Sequence, residues 1–157
     1  MTNAVKNIIN NAENEKDNSV FIDCSFYPFG RISSYAAKMA LKGYKVFLLN
    51  VEKIIITGSK KQILERFVWK RSLQNKANPE HSPKLPRVPH LMVKRMVRGM
   101  LPYKTKRGRE AYKRIKAYIG IPEEFKDKKL SEIPIERKQY NRYVTIQEIC
   151  AHLGYKS

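Results

Sequence analysis

The stretch VFIDCSFYPFGRISSYAAKMALKGYKVFLLN, residues 20–50, decides the fold class. Val20 to Cys24 is a short apolar run followed by a turn with Pro28 and Gly30, the pattern of a buried strand. Beyond it, Ile32, Tyr35, Ala36, Met39 and Ala40 fall at i, i+3, i+4, i+7 and i+8, one face of a helix. Gly43 is placed to end that helix. Lys45 to Asn50 reads as a second strand, and IIIT, Ile54 to Thr57, follows with the same character. A strand, a helix and a strand joined this way pack as a parallel unit, so the predicted class is α/β.

Working outward, Ser59 and Gln62 have capping-box spacing ahead of a helix predicted over about Lys60 to Arg71. Ile63, Leu64, Phe67 and Val68 are expected to face inward on it, with Trp69 at the edge of that face. NPEHSPKLPRVPH, residues 78–90, holds four prolines and is read as an extended loop that orders on binding. Met92, Val93, Met96, Val97 and Met100 then form one helical face. Ala111, Tyr112, Ile115, Tyr118 and Ile119 form the apolar stripe of a further helix, stopped by Gly120 and Pro122. Thr145 and Glu148 open a short C-terminal helix with a second capping box. Residues 1–19, Asn-rich and mixed in charge, read as a flexible extension without the apolar core of a signal peptide.

The 157 residues suit one domain, and 42% hydrophobic content is enough for a core. The formal charge is +18, from 32 Lys and Arg against 14 Asp and Glu. Such a surface repels itself unless a polyanion covers it. Nucleic acid is the first candidate, an acidic membrane surface the second and an acidic protein the third. No run approaches the length of a transmembrane helix. Two cysteines fit a reduced, cytosolic protein better than a disulfide scaffold.

The charge is concentrated. Between residues 84 and 116 stand Lys84, Arg87, Lys94, Arg95, Arg98, Lys104, Lys106, Arg107, Arg109, Lys113, Arg114 and Lys116, against the single acid Glu110. A helix shaped only for solubility would mix signs. The segment therefore reads as an electrostatic footprint for phosphates, with arginine forks suited to bidentate contact. Tyr103 is placed to stack on an unpaired base, while Tyr112 shares the apolar face. Gly99 and Gly108 either allow a nucleic acid to approach the backbone or punctuate helix ends.

Four stretches carry a resemblance. They are IDCSFYPFGRISSYAAKMALKG (residues 22–43), VFLLNVEKIIITGS (46–59), NPEHSPKLPR (78–87) and VRGMLPYKTKRGREAYKRIKAYIGIP (97–122). Together, and in this order, they resemble the universal large-subunit ribosomal protein L13 family in its archaeal and eukaryotic form. The resemblance runs from Phe21 to Pro122. Ser82 stands where that family often has Gly. It implies a three-layer α/β/α domain around a mostly parallel four-stranded sheet, with basic helical and loop extensions. The domain would span residues 20–122, with a C-terminal extension over 123–157. It implies a structural constituent of the large ribosomal subunit, bound to large-subunit rRNA beside neighbouring ribosomal proteins in the cytoplasm. No cofactor, metal, membrane or small-molecule substrate is implied. RNA contact carries over to Arg31, Arg95, Arg98, Lys104, Lys106, Arg107, Arg109, Lys113 and Arg114. Lys84, Arg87, Lys94 and Lys116 join them on charge alone.

Enzyme readings find little support in the residues. The turn Tyr27-Pro28-Phe29-Gly30-Arg31 lacks the GxGxxG frame, and TGSKK (residues 57–61) lacks the GxxxxGK[ST] frame. His81, His90 and His152 are far apart, and Cys150 and His152 point to different faces of one helix. Asp23 is expected to hydrogen-bond its own loop, and Cys24 to be buried. A small nucleic-acid enzyme would need a convergent acidic pair or a poised base. A DNA-binding module would need a helix presenting Asn, Gln or Arg to base edges.

Overall fold

The computed structural model describes residues 18–126, 128, 130, 131, 133–135 and 140–156. The flexible extension expected over 1–19 lies outside them except at its end, where Ser19 already opens strand β1 (Ser19–Asp23). Helix α1 (Phe29–Leu41) follows, then β2 (Lys45–Leu49), with β1 and β2 parallel from Ser19–Lys45 to Asp23–Leu49. Gly43 adopts φ +107 just past α1, the left-handed turn that its lack of a Cβ permits. The strand–helix–strand reading therefore holds.

On its other side β2 pairs in parallel with β4 (Ile115–Ala117), giving the order β1-β2-β4. Parallel strands buried on both faces need apolar residues throughout. Val20, Ile22, Val46, Leu48 and Ile115 join the core formed with the helices. The alternate residues stack on the opposite face. The Phe21 and Phe47 rings lie 4.8 Å apart, and Phe125 sits 5.2 Å from both.

The sequence placed residues 106–119 in one helix. Instead α4 (Lys106–Arg114) ends at Arg114, and Ile115 enters the sheet. The apolar spacing fits either structure. What decides is the open edge of β2, where β-branched Ile115 pairs beside Val46 and is completely buried.

The four-stranded sheet is likewise divided among the described residues. β3 (Ile55–Thr57) leaves the parallel sheet and pairs antiparallel with β5 (Tyr143–Thr145), keeping one parallel bridge from Ile55 to Pro28. The cause lies at Asn50, which takes the left-handed conformation (φ 53, ψ 41) and starts a 3-10 turn over Val51–Lys53. Asn tolerates that conformation better than most residues. Its amide donates to Asp23 Oδ1 at 2.9 Å, and its N–H to the Gly120 carbonyl at 3.0 Å. One residue thus joins the ends of β1, β2 and the segment after β4.

Helix α2 spans Lys60–Ser72, and Ser59 is its N-cap residue without a side-chain capping bond. Phe67 is buried on it, but Val68 is exposed rather than inward, as is Trp69. Helix α3 (Pro89–Arg98) starts with proline, whose missing N–H costs nothing there. Met92, Val93 and Val97 are buried, while Met100 lies past the helix end and is exposed. Helix α5 (Ile146–His152) is capped as expected, Thr145 Oγ1 accepting from the Glu148 N–H at 3.2 Å. Val144, Ile146, Ile149, Cys150 and Leu153 enter the same core as the parallel strands.

Leu48 is fully buried in the central strand. Leu48→Ala is expected to lower stability by about 2–5 kcal/mol in urea unfolding. A loss below ~1 kcal/mol would show that β2 is not the centre of the packing.

Candidate nucleic-acid interface

The basic segment is part of the connection between β2 and β4. Parallel neighbours require a crossover, and this one contains α2, the Pro-rich loop, α3 and α4. The loop holds a short 3-10 turn, Pro79–His81, and is otherwise irregular up to α3. Two bonds fasten it: Arg71 donates to the Leu85 carbonyl at 2.9 Å, and the Asn75 N–H to Ser82 Oγ at 2.9 Å. Ser82, the departure from the family pattern, thus closes the loop.

The loop and α3 meet along a groove of about 300 Å³, where Lys84, Arg95 and Arg98 converge over Leu85, Leu91 and Tyr112. Tyrosine rings hold part of this charge in place. Arg98 lies 5.0 Å from the Tyr103 ring centre and Lys94 5.3 Å from that of Tyr112, and the two rings meet edge to face at 5.4 Å. Such cation–π contacts add about 0.5–1 kcal/mol each at exposed sites. Burial raises the Tyr112 phenol above its ordinary pKa, as does Tyr103 nearby, while Arg98 and Arg95 act in the opposite sense. Tyr103, expected as a stacking platform, already has Arg98 against its ring.

Two of the expected contact residues, exposed Arg107 and half-buried Arg114, also make contacts within the protein. Arg107 donates to the Leu41 carbonyl and Arg114 to the Ala40 carbonyl, each at 3.4 Å. These are carbonyls of the last turn of α1, where cations also complement the helix dipole. Glu110, the lone acid of the segment, sits 4.0 Å from Arg114. Both arginines therefore bind α4 to α1.

Gly108 belongs to the same seam. A Cβ there would overlap the Pro102 carbonyl, so this glycine serves close packing within the protein. Thr105 braces the site, accepting from the Gly108 N–H at 3.2 Å and donating to the Pro102 carbonyl at 2.8 Å. Gly99 follows α3 as its C-cap.

Lys104, Lys106, Arg109 and Lys113 are exposed on and before α4. Arg87 is exposed in the loop, its guanidinium 3.8 Å from where a Cβ would stand on Gly154. Arg31 is exposed in the first turn of α1, the opposite end from the arginine clamp. Lys116 is set apart: its ammonium lies over Phe47, on the sheet face away from the core helices. Sequence reasoning missed Lys38 and Lys42. They share a depression of about 370 Å³ with Ser34, Met100 and Arg107. Their spacing of seven and eleven residues from Arg31 is the helical signal that would have found them.

The residues weighed for chemistry are otherwise engaged. Asp23 Oδ1 accepts from the Ser25 N–H at 3.1 Å and the Ser25 hydroxyl at 2.7 Å, besides Asn50. Cys24 and Cys150 are buried free thiols. Burial pushes the Cys24 pKa strongly up and that of Cys150 to about 11 from an ordinary 9.0. Among the described residues no group of three His, Cys, Asp or Glu is arranged to hold a metal.

Residues 17–124 match the family model for Ribosomal protein L13. The chain belongs to that family. The L13 match takes in β1 to β4 and the whole basic crossover, and stops before β5 and α5. Among L13 relatives, the large ribosomal subunit protein uL13 of Methanopyrus kandleri is 42% identical over 140 residues, 86% of each chain. That of Archaeoglobus fulgidus is 38% identical over 89% of this chain and 90% of its own. That of Methanococcus maripaludis is 43% identical over 81% and 91%.

Three outcomes are expected. Arg107→Ala and Arg114→Ala should each lower stability by about 0.5–1.5 kcal/mol in urea unfolding, through the α1–α4 seam. Unchanged stability in both would show that their contacts with the end of α1 do not hold the seam. Gly108→Ala should cost about 1–3 kcal/mol by overpacking; a neutral result would mean that Pro102 yields freely. The raised Cys150 pKa has a pH signature. The unfolded thiol ionises first, so this stabilisation is complete below about pH 9 and is lost as pH rises toward 11. Unfolding measured across that window against Cys150→Ala should show the steeper decline in the unsubstituted protein.

Proposed function

We propose that this chain is a structural constituent of the large ribosomal subunit, binding and stabilising large-subunit rRNA during assembly and translation without catalysing a reaction. The single observation that carries the reading is the segment 84–116, twelve cations to one carboxylate in a chain of the L13 family. Its partners are large-subunit rRNA and neighbouring large-subunit proteins, and its place is the cytoplasmic ribosome. No described helix is long and apolar enough to cross a membrane.

The cations divide by task. Lys104, Lys106, Arg109 and Lys113 meet backbone phosphates. Lys84, Arg95 and Arg98, gathered at one groove, with Lys94 beside them, meet a second strand or a bend. Arg31, Arg87 and Lys116 make outlying contacts. Arg107 and Arg114 hold α4 in position as well as adding charge. RNA helices are recognised mainly through shape, phosphates and 2′-hydroxyls, so a fixed array of cations suffices without base-reading side chains. The finer architecture belongs to the same proposal: three α/β/α layers in the 20–122 domain and a C-terminal extension over 123–157, whose Val144, Ile146, Ile149, Cys150 and Leu153 join the same core.

The test is sedimentation of cell extract on a sucrose gradient before and after a high-salt wash. The protein should travel with large subunits and stay there, since many phosphate contacts buried together exchange slowly. Lys106→Glu, Arg109→Glu and Lys113→Glu combined should block incorporation while leaving the fold intact by circular dichroism. Normal incorporation of that variant would sink the assignment of these residues. Absence of the protein from ribosomal fractions would overturn the whole reading.

A further inference from the structure

The groove between the Pro-rich loop and α3 holds more than surface charge. Arg95 is half-buried there, yet its guanidinium makes no hydrogen bond or ion pair with another described residue. The Lys84 ammonium makes none either, nor does the Tyr112 hydroxyl, although burial pushes the Tyr112 pKa up. The Arg98 guanidinium rests on the Tyr103 ring. Taking hydration from a cation without supplying an acceptor is unfavourable. Three cations lining one groove add mutual repulsion. No acid is among the described residues that line it. The groove is therefore a set of donors that an anion would complete.

Every lining residue lies between positions 84 and 112, inside the segment with twelve cations and one carboxylate. Arg98 also lines the neighbouring depression, beside Tyr103 and Lys104, so the cations continue from one site to the next. A chain of phosphates matches such a track, and arginine forks bind phosphate oxygens in pairs. A single carboxylate from a partner protein would satisfy one position and leave the next open. The rest of the groove is apolar. Leu91, 46% exposed, and Leu85 form a wall whose side chains offer a phosphate nothing. The flat face of an unstacked base covers such a wall, whereas a base inside a duplex is closed to it.

We propose that this groove holds one extruded nucleotide of the bound RNA. Arg95, Arg98 and Lys84 bind its phosphate, with the Tyr112 hydroxyl as a fourth donor, and its base lies against Leu85 and Leu91. The proposal rests on the ribosomal reading above and narrows it: the RNA bends here. An apolar wall accepts any base, so no sequence is read.

The test uses the full chain in large subunits isolated from cells. The photo-crosslinking residue p-benzoylphenylalanine is placed at position 91, and at position 113 in a parallel variant, and the subunits are irradiated. From position 91 the expected product joins the chain to a single unpaired rRNA nucleotide, mapped by the stop it causes in reverse transcription. In subunits with the unsubstituted chain, the base of that nucleotide should be shielded from base-modifying reagents. Arg95→Gln should raise its reactivity about 5-fold or more. The same substitution should leave the urea midpoint of the free protein unchanged or higher, since no partner within the protein is lost. Attachment to another protein, attachment to paired nucleotides, no product in subunits that contain the chain, reactivity unchanged by Arg95→Gln, or a lower urea midpoint would each overturn the groove proposal. A cross-link from position 113 to rRNA upholds the ribosomal reading whatever happens at position 91, and absence of the chain from large subunits overturns both.

Discussion

The structure depends on one constraint: β2 is parallel to both of its neighbours. Parallel strands cannot be joined by a hairpin, so each pairing demands a crossover that returns the chain to the starting edge. The first crossover is short and consists of α1. The second runs from Leu49 to Ile115 and contains the cation-rich segment up to Arg114. Because both ends of that crossover are pinned to one strand, the basic surface is a fixed array rather than a loose basic tail. Preorganised charge meets a polyanion without the ordering entropy that a disordered segment would lose on binding.

Holding so many like charges together requires internal fastening. The fastenings are drawn from the basic residues themselves. Arg107 and Arg114 close the last turn of α1, Arg98 and Lys94 rest on tyrosine rings, and Arg71 ties the Pro-rich loop. These contacts use carbonyls and π faces as acceptors, because the segment has only Glu110 to offer as a carboxylate. Salt bridges would have neutralised the surface, whereas these contacts position the cations and leave the segment's net charge in place.

At the carboxyl ends of the strands a second set of bonds sets the layout. Asn50, in its left-handed conformation, connects Asp23 with Gly120, and Glu52 Oε2 accepts from the Gly120 N–H at 3.1 Å. The turn made there sends β3 to β5 instead of extending the parallel sheet. It also places α5 next to α2.

The sequence by itself determined the α/β class, the β1–α1–β2 unit, the cap at Thr145 and the location of the charge. Each of these is a local pattern: a short apolar run, a 3.6-residue period, a capping pair, a run of one sign. Only the tertiary structure decided that Ile115–Ala117 is strand, that β3 turns away from the parallel sheet and that Val68 faces solvent. It also decided that Arg107 and Arg114 clamp a helix, and that Gly108 is demanded by a proline carbonyl six residues earlier. In every such case the residue suits two environments equally well by composition. The choice is made by what a distant part of the chain presents: an unpaired strand edge, a helix end with open carbonyls, or a backbone too close for a side chain.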